Sequence, residues 1–384
     1  MDPISSTLFS LIFIIIIVGL IEKFYHKKSL KNIPIRIHVN GARGKSSVTR
    51  LIASGLREGN LKTYAKTTGT TPRIIDDKGQ DIVIHRLRSA SIGEQIKLLR
   101  YFSKKNPDAL VMECMAVNPQ YQWISEHKIV QSTLGVITNV RPDHLDEMGS
   151  TNKEIAFSLS NTIPFNSVTI TSEKENIAPF QTISKKRNTV LQVSDCSDIP
   201  TEYIDKFPFI EHPENIALAL KVCLSLGISR NIALKGMLKT NPDPGALFIW
   251  NIKYKMNKCK FISAFAANDP SSTLMVWNLI KNRFDNKSCI FLNTRDDRRY
   301  RTVQLIELVL NNIKPDLFII RASNINNILN NYNLGENKLQ VFDMSTSPDE
   351  VVDKILSLNN YCIVGIGNIV GWGESFINKL KGFI

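Results

Sequence analysis

Closely spaced cysteines are missing from this 384-residue chain. Cys114, Cys196, Cys223, Cys259, Cys289 and Cys362 are scattered, with no Cys-x-x-Cys and no short spacing to a histidine. Neither a zinc site nor a disulfide framework is indicated, and a reducing cytosol fits. Recognition modules for nucleic acid are lacking too: the net charge of +13 is spread along the chain, so nucleic acid is not an expected partner. No Asn-Lys-x-Asp run is present to read guanine, and no Leu-Ser-Gly-Gly-Gln run marks a transport ATPase. With 43% hydrophobic and 22% charged residues, the composition is that of ordinary globular material with enough apolar mass for about two domain cores.

One long apolar run stands out. Pro3 to Ile21, "PISSTLFSLIFIIIIVGLI", carries no charge, and at roughly 1.5 Å per residue it rises about 28 Å, close to the thickness of a bilayer core. Lys23, His26, Lys27, Lys28 and Lys31 follow it, so a single-pass cell-membrane anchor with everything after Ile21 on the cytoplasmic side is expected. A cleaved signal fits poorly, because there is no basic stretch before the run and no Ala-x-Ala site. A buried core helix is the competing reading, since Ser5, Ser6, Thr7 and Ser10 dilute the first half.

After the anchor, apolar strands alternate with amphipathic stretches: Ile33 to Val39, then Ser47 to Glu58, followed by strands at Ala109 to Met112, Gly135 to Thr138 and Ser167 to Thr171. This is the α/β alternation of a mostly parallel sheet flanked by helices. "KTNPDPGALF" reads as a linker, and a second alternation follows, with helices expected at Ser271 to Arg283 and Thr302 to Asn312. The expected division is 1–31 for the anchor and its basic flank, 32–243 for a first α/β domain and 244–384 for a smaller second one.

The stretch "HVNGARGKSSVTR" leaves a strand, passes Gly41, Ala42, Arg43 and Gly44, and reaches Lys45, Ser46 and Ser47 as a helix begins. Backbone N–H groups there can curl around anionic oxygens beside a positive helix end, Lys45 can add a point charge, and Ser46 can ligate Mg2+. Val39 stands where the longer phosphate-loop pattern has its first glycine, so a purely structural turn is the alternative. Glu113 ends the strand in "PDALVMECMAVNP", where a carboxylate at a parallel sheet's carboxyl edge can face such a loop and hold a metal. In "GVITNVRPDHLDEMGS", a strand runs into Asn139, and Asp143, His144 and Asp146 cluster on a loop. His144 as a helix-capping residue is the plainer reading. Asn215 heads the apolar helix of "HPENIALALKV", where it suits an N-cap.

The order "NGARGKSS", "KTTGTTPR", "VMECMAV", "ITNVRPDHLDEMGS", "HPENIALAL" and "AANDPSS" resembles the Mur ligase family of ATP-dependent amide ligases, in its membrane-linked poly-γ-glutamate synthase branch. The resemblance implies a membrane-anchored, Mur-ligase-like α/β fold: a P-loop central domain with a mostly parallel sheet, then a smaller Rossmann-like domain. By position it places Lys45 on the ATP phosphates, Ser46 and Glu113 on one Mg2+, and His144 on a second. Thr67, Thr68 and Thr70 would lie near the transferred phosphate, Asn215 would contact the adenosine, and Asn268 and Asp269 would stand in for a degenerate ATP-site signature. Glutamate, a growing poly-γ-glutamate chain and other membrane subunits of a synthase or export complex are the partners it implies.

The departures are specific. "EIAFSLSNTIP" has Ser158 and Ser160 near the place where many Mur ligases carry a carbamylated lysine, and "PGA" at Pro244 to Ala246 replaces a family arginine. The family's N-terminal nucleotide-sugar-binding domain is expected to be replaced here by the membrane span. For a polymer bearing one negative charge per residue, Arg295, Arg298 and Arg299 of "RDDRRYR", and Arg73 beside the threonine-rich loop, are the candidate carboxylate forks. A solvated loop is the alternative for "RDDRRYR". The competing function is a membrane-associated P-loop NTPase acting as a regulatory or transport-coupled module.

Overall fold

The alternation of apolar and amphipathic stretches builds two separate sheets in the computed structural model, which describes residues 3–68, 72–84, 91–197, 199–204, 206–242, 247–265, 269–281, 286–296, 299–330, 332 and 338–384. One compact unit takes 1–206 with 211–243, and the other takes 207–210 with 244–384. In the first, helix α1 (Pro3–Lys31) precedes β1 (Ile35–Asn40), α2 (Lys45–Glu58), β2 (Thr63–Thr67), β3 (Arg73–Ile75), β4 (Asp81–Val83), α3 (Glu94–Ser103) and β5 (Ala109–Glu113). Then come α4 (Pro119–Ile124), a π-helical continuation (Ser125–Val130), β6 (Leu134–Ile137), α5 (Leu145–Met148), α6 (Asn152–Leu159), β7 (Val168–Thr171), α7 (Ala178–Lys186), β8 (Val190–Val193) and α8 (Thr201–Ile204). After β9 (Phe209–Ile210), which pairs within the second unit, α9 (Pro213–Ser225) and α10 (Arg230–Met237) complete the first.

The first sheet runs β4-β3-β2-β5-β1-β6-β7-β8. Six of these strands are parallel, and β3 and β4 turn back antiparallel at one edge. The second unit orders β14 (Leu339–Phe342), β13 (Leu317–Arg321), β12 (Lys287–Asn293), β15 (Tyr361–Gly367), β11 (Asn257–Ser263), β10 (Leu247–Tyr254) and β9. Its helices are α11 (Pro270–Ile280), α12 (Arg299–Leu308), α13 (Asn326–Leu329), α14 (Pro348–Leu356) and α15 (Trp372–Leu380). Strand order reverses between β12 and β15, and apolar clusters fill both sheet faces, one around Ile290, Leu292 and Ile320, the other around Phe261, Phe291 and Phe376. Both units are therefore α/β with mostly parallel sheets, as the sequence pattern implies.

The expected membrane anchor is a different matter. Part of Pro3 to Ile21 falls on side chains outside the described set, and among the described residues no helix is long and apolar enough to cross a membrane. The span is thus unsupported, although α1 is one continuous helix whose Leu11, Phe13, Ile15 and Leu20 are exposed. A buried core helix does not describe it either: among its described residues only the foot is covered, with Leu30 packed into the cluster of Leu99 and Phe102, and His26 Nε2 2.9 Å from the Ile129 carbonyl oxygen.

Successive residues of β1 serve opposite faces. Ile37 and Val39 are buried apolar, whereas His38 and Asn40 meet a polar layer carried by α4 and its continuation. Asn40 Nδ2 donates to Gln122 Oε1 at 2.9 Å, and His38 Nδ1 lies 2.7 Å from Glu126 Oε2. Gln122 and Glu126, one helical turn apart, thereby read alternate residues of one strand. Gln122 Nε2 also donates to the Val117 carbonyl at 2.7 Å and to Ser158 Oγ at 3.1 Å, so Ser158 is part of this buried network. Ser132 donates to Glu126 Oε1 through its N–H at 2.8 Å and its hydroxyl at 2.9 Å.

Burial alone would hold the His38 imidazole neutral, but the neighbouring Cys114 and the Glu126 carboxylate reverse that and raise its pKa to about 10. A folded-state value above the ordinary 6.5 means that the stabilisation is fully present below pH 6.5 and is lost as pH rises through about 10. Denaturant unfolding of His38→Gln should accordingly show a shallower loss of stability than wild type across this window. Glu126→Gln, which strands a buried charge, should cost about 3–5 kcal/mol at neutral pH. Parallel pH profiles for wild type and His38→Gln would remove the imidazolium from the account.

Candidate active site

The loop between β1 and α2 is held from both sides. Ala42 N–H donates to the Asn139 carbonyl at 3.0 Å, Arg43 N–H donates to Asn139 Oδ1 at 3.1 Å, and Asn139 Nδ2 returns a bond to the Arg43 carbonyl at 3.1 Å. Thr138 Oγ1 donates to the same carbonyl at 2.6 Å. Two glycines make the path possible. Gly41 has φ 134° and presses on Thr138, and Gly44 has φ 80° with Asn215 Oδ1 2.7 Å from where a Cβ would stand. The turn at Gly44 lets the helix begin at Lys45, two residues earlier than the apolar pattern from Ser47 suggests. Lys45 Nζ folds over the loop, donating to the Gly41 carbonyl at 2.7 Å and the Ala42 carbonyl at 3.1 Å.

Beside this turn, β1, β5 and β2 end together, and Glu113 is the shared acceptor. Its carboxylate takes a bond from Ser46 Oγ at 2.8 Å, from Thr68 N–H at 2.8 Å and from the Thr68 hydroxyl, while only 2% of the residue is exposed. Thr67, the last residue of β2 and the one before Thr68, is buried. Ser46 Oγ and the Glu113 oxygens are hard oxygen donors, a set that suits a divalent cation such as Mg2+. His144 is not part of that set. More than half of its side chain is exposed, its Nε2 lies 3.9 Å from Asp143 Oδ1, and no described hydrogen bond or ion pair joins it to Ser46 or Glu113. It occupies the N-cap position of α5 at φ 45° without a side-chain bond to the helix, and among the described residues no three His, Cys, Asp or Glu side chains converge as a metal site.

Other expected residues sort by position. Asn215 lies inside α9, whose N-cap is His212, and its buried side chain donates to Glu211 Oε1 at 2.7 Å while packing on Gly44. Arg73 Nε lies 3.6 Å from Asp81 Oδ2, a carboxylate that Arg50 holds with two bonds, at 2.9 and 2.8 Å. Asp269 caps α11 by accepting from Ser272 N–H at 2.9 Å. Thr70, Asn268 and Arg298 lie outside the described residues, as do Pro244, Gly245 and Ala246 of the linker. Ser47 follows Ser46 in the first turn of α2, half-buried.

A cavity of about 370 Å³ adjoins the loop through Asn139. Pro142, Ser172, Lys174, Asn176 and Glu214 contribute to its wall, and Glu173 is fixed there by Val140 N–H at 2.8 Å and Asn176 N–H at 2.7 Å. Within the second unit, Arg295 and Arg299 line a cavity of about 200 Å³ with Thr294, Asp296 and Ser323 at the carboxyl ends of β12 and β13. Two features escape a sequence reading. Arg43, on the phosphate loop, lies 3.5 Å from Asp143 Oδ1, which links two motifs far apart in the chain. Arg321, at the end of β13, is 5% exposed, stacks over Trp372 at 4.3 Å and donates to Asn293 Oδ1 at 3.1 Å and to the Met344 carbonyl. The one local sign of it is a charge closing the apolar run "DLFII".

Residues 39–206 match the family model of the Mur ligase middle domain, and residues 249–383 match that of the poly-gamma-glutamate synthase CapB C-terminal domain. The chain is 38% identical to capsule biosynthesis protein CapB of Bacillus anthracis, over 95% of this chain and 80% of that protein. It is 38% identical to PGA synthase CapB of Bacillus subtilis (strain 168), over 96% of both. Among solved structures, MurF from Acinetobacter baumannii superimposes with a TM-score of 0.67 at 15% identity, covering 95% of this chain and 80% of that one. E. coli FolC in complex with ADP gives 0.66 at 16% identity, covering 93% and 92%. A phosphate-type loop braced against a buried carboxylate, on a fold shared with these ligases and in a sequence this close to two CapB proteins, leads to one conclusion: the chain belongs to the Mur ligase family, in its poly-gamma-glutamate synthase branch, and is an ATP-dependent ligase that forms amide bonds.

Proposed function

We propose that this protein lengthens poly-γ-glutamate for a capsule, activating the carboxylate of a growing chain with ATP and joining it to the amine of glutamate. The observation that carries the reading is the meeting of Lys45, Ser46, Thr68 and Glu113 around the start of α2. Names of the relatives support the polymer: one is called a PGA synthase and the other a capsule biosynthesis protein. A bifunctional folylpolyglutamate synthase was solved with Mn, AMPPNP and L-glutamate, which supports a nucleotide, a divalent ion and glutamate on this fold.

A carboxylate is a poor acyl donor, because its leaving group would be oxide. Its oxygen attacks the γ-phosphorus of ATP, the bond to ADP breaks, and an acyl phosphate results. The glutamate amine then attacks the acyl carbon, the bond to the phosphate oxygen breaks, and the new amide nitrogen sheds a proton. The N–H groups of the Gly41–Lys45 turn and the positive end of α2 bind the phosphates, and Lys45 leaves its two carbonyl partners to neutralise oxygens that gain charge. Ser46 and Glu113 are the residues that would hold Mg2+, which when bound shields the phosphate oxygens. Thr68 keeps the Glu113 carboxylate oriented, and the cavity that shares Asn139 with the loop has room for the nucleoside. Arg295 and Arg299 recognise polymer or glutamate carboxylates. Attachment to the cell membrane through α1, with both units on the cytoplasmic side and beside other synthase subunits, completes the reading, supported by the apolar helix and the lysines that follow it.

Lys45→Ala should abolish phosphate release that depends on glutamate and acceptor while leaving thermal stability near wild type. Turnover at the wild-type rate would sink the nucleotide assignment. Glu113→Ala should displace the Mg2+ dependence to higher concentration, and an unchanged titration would take Glu113 out of the metal site. In the second unit, Arg295→Gln and Arg299→Gln should each raise the acceptor KM several-fold, about 1 kcal/mol apiece, with little change in the KM for ATP. High salt should raise the wild-type acceptor KM more than that of the double variant. Unaltered acceptor KM and salt response in the double variant would make this cluster a solvated loop.

A further inference from the structure

The foot of α1 and the flank of α3 enclose a cleft of about 500 Å³ that the ligase chemistry does not use. Lys28, Arg100 and Lys104 line it, together with Tyr25, Ser29 and Ser103, and no carboxylate is among the lining residues. The two hydroxyls are turned to the backbone, Ser29 Oγ donating to the Tyr25 carbonyl at 2.9 Å and Ser103 Oγ to that of Arg100 at 3.0 Å. Arg100 reaches Glu22 at 3.4 Å through one terminal nitrogen, while its Nε is buried without a hydrogen-bond partner. A cleft lined by three cations, one of them a guanidinium with a single long contact to a carboxylate, is a place for an anion.

What lies immediately above the cleft specifies which anion. Leu11, Ile12, Phe13, Ile14, Ile15 and Ile16, successive residues that circle the helix, are all exposed, and the apolar surface continues to Ile21. A protein partner is met by one stripe of a helix, whereas an apolar surface on every side suits lipid chains. Leu11–Ile21 rises roughly 16 Å, about half of a 30 Å hydrocarbon core. Tyr25 then stands roughly 6 Å beyond Ile21, within the headgroup layer, and Ser29 roughly 12 Å beyond it, at the outer face of that layer where long cationic side chains reach back to the phosphates. We propose that this cleft binds the phosphate headgroup of an anionic phospholipid, with Arg100, Lys28 and Lys104 as its ligands, so that the first unit sits directly against the leaflet. The proposal rests on the membrane attachment read above and adds to it a specific lipid class and site.

Full-length protein should be sedimented with vesicles of phosphatidylcholine alone and of phosphatidylcholine with phosphatidylglycerol. Wild type should bind both, and the anionic vesicles much more tightly. Lys28→Gln/Arg100→Gln/Lys104→Gln should keep its binding to neutral vesicles and lose on the order of a hundredfold on anionic ones, roughly fivefold per charge. ATP turnover of the triple variant without vesicles should match wild type, which checks its fold, and Lys28→Arg/Lys104→Arg should retain the anionic preference. A triple variant that still prefers phosphatidylglycerol overturns the site. Equal wild-type binding to both vesicles overturns the headgroup proposal but keeps membrane attachment, and binding to neither overturns both. Displacement from anionic vesicles by inorganic phosphate at matched ionic strength would make the cleft a site for free phosphate and also overturn the proposal.

Discussion

The buried carboxylate of Glu113 is the constraint around which the first unit is arranged. A carboxylate taken out of water is costly unless hydrogen bonds replace its hydration. Here three donors do so, one from the first turn of α2 and two from Thr68 just past β2. The parallel pairing of β2, β5 and β1 brings these groups together, because it ends all three strands at one edge. Were β2 to slip by one residue, the Thr68 donors would leave the carboxylate, and the phosphate loop would lose the neighbour that makes it more than a turn.

Beneath that edge, the β1 positions that meet α4 and its continuation are polar, although their strand neighbours Met112 and Ile137 pack in apolar clusters. Asn40, His38, Gln122, Glu126, Ser132 and Ser158 form bonded sets that tie β1 to the helix behind it. Such pairs add little net stability compared with apolar packing, but they are costly to misalign, so they fix the register of the strand that launches the phosphate loop. The second unit uses the same physics at Arg321, whose charge is held by an amide oxygen, a carbonyl and the face of Trp372. Its pKa is lowered by burial.

Much of this was legible in the chain because it is local. Strand-to-helix alternation gives the α/β class, and the glycine spacing ahead of Lys45 gives the loop. Glu113 could be suspected because a charged residue closes the apolar run "ALVM". Contacts between distant motifs were not legible. Asn215 looks like a cap at the head of an apolar helix, yet Pro213 starts that helix two residues earlier, and the amide is turned toward Gly44. His144 stands among acidic residues in sequence, and which of them it faces was not legible: the left-handed turn it occupies leaves it exposed beside Asp143. The two-residue strand β9 carries no periodicity long enough to assign it to the second sheet. Arg73, placed by its sequence near the threonine-rich loop, shares the carboxylate that Arg50 grips, a pairing no spacing rule supplies.

The clamp on the phosphate loop bears on binding kinetics and affinity alike. Asn139 bonds the Arg43 backbone at both its N–H and its carbonyl, and Asn215 closes the space beside Gly44. Such a loop has already given up its conformational entropy during folding, so an arriving phosphate does not have to order it. On the proposed reading, Lys45 is the group that moves, its ammonium leaving the Gly41 and Ala42 carbonyls for phosphate oxygens. The association step would then amount to one side chain swinging within a held frame, on the timescale of rotamer motion rather than of loop closure.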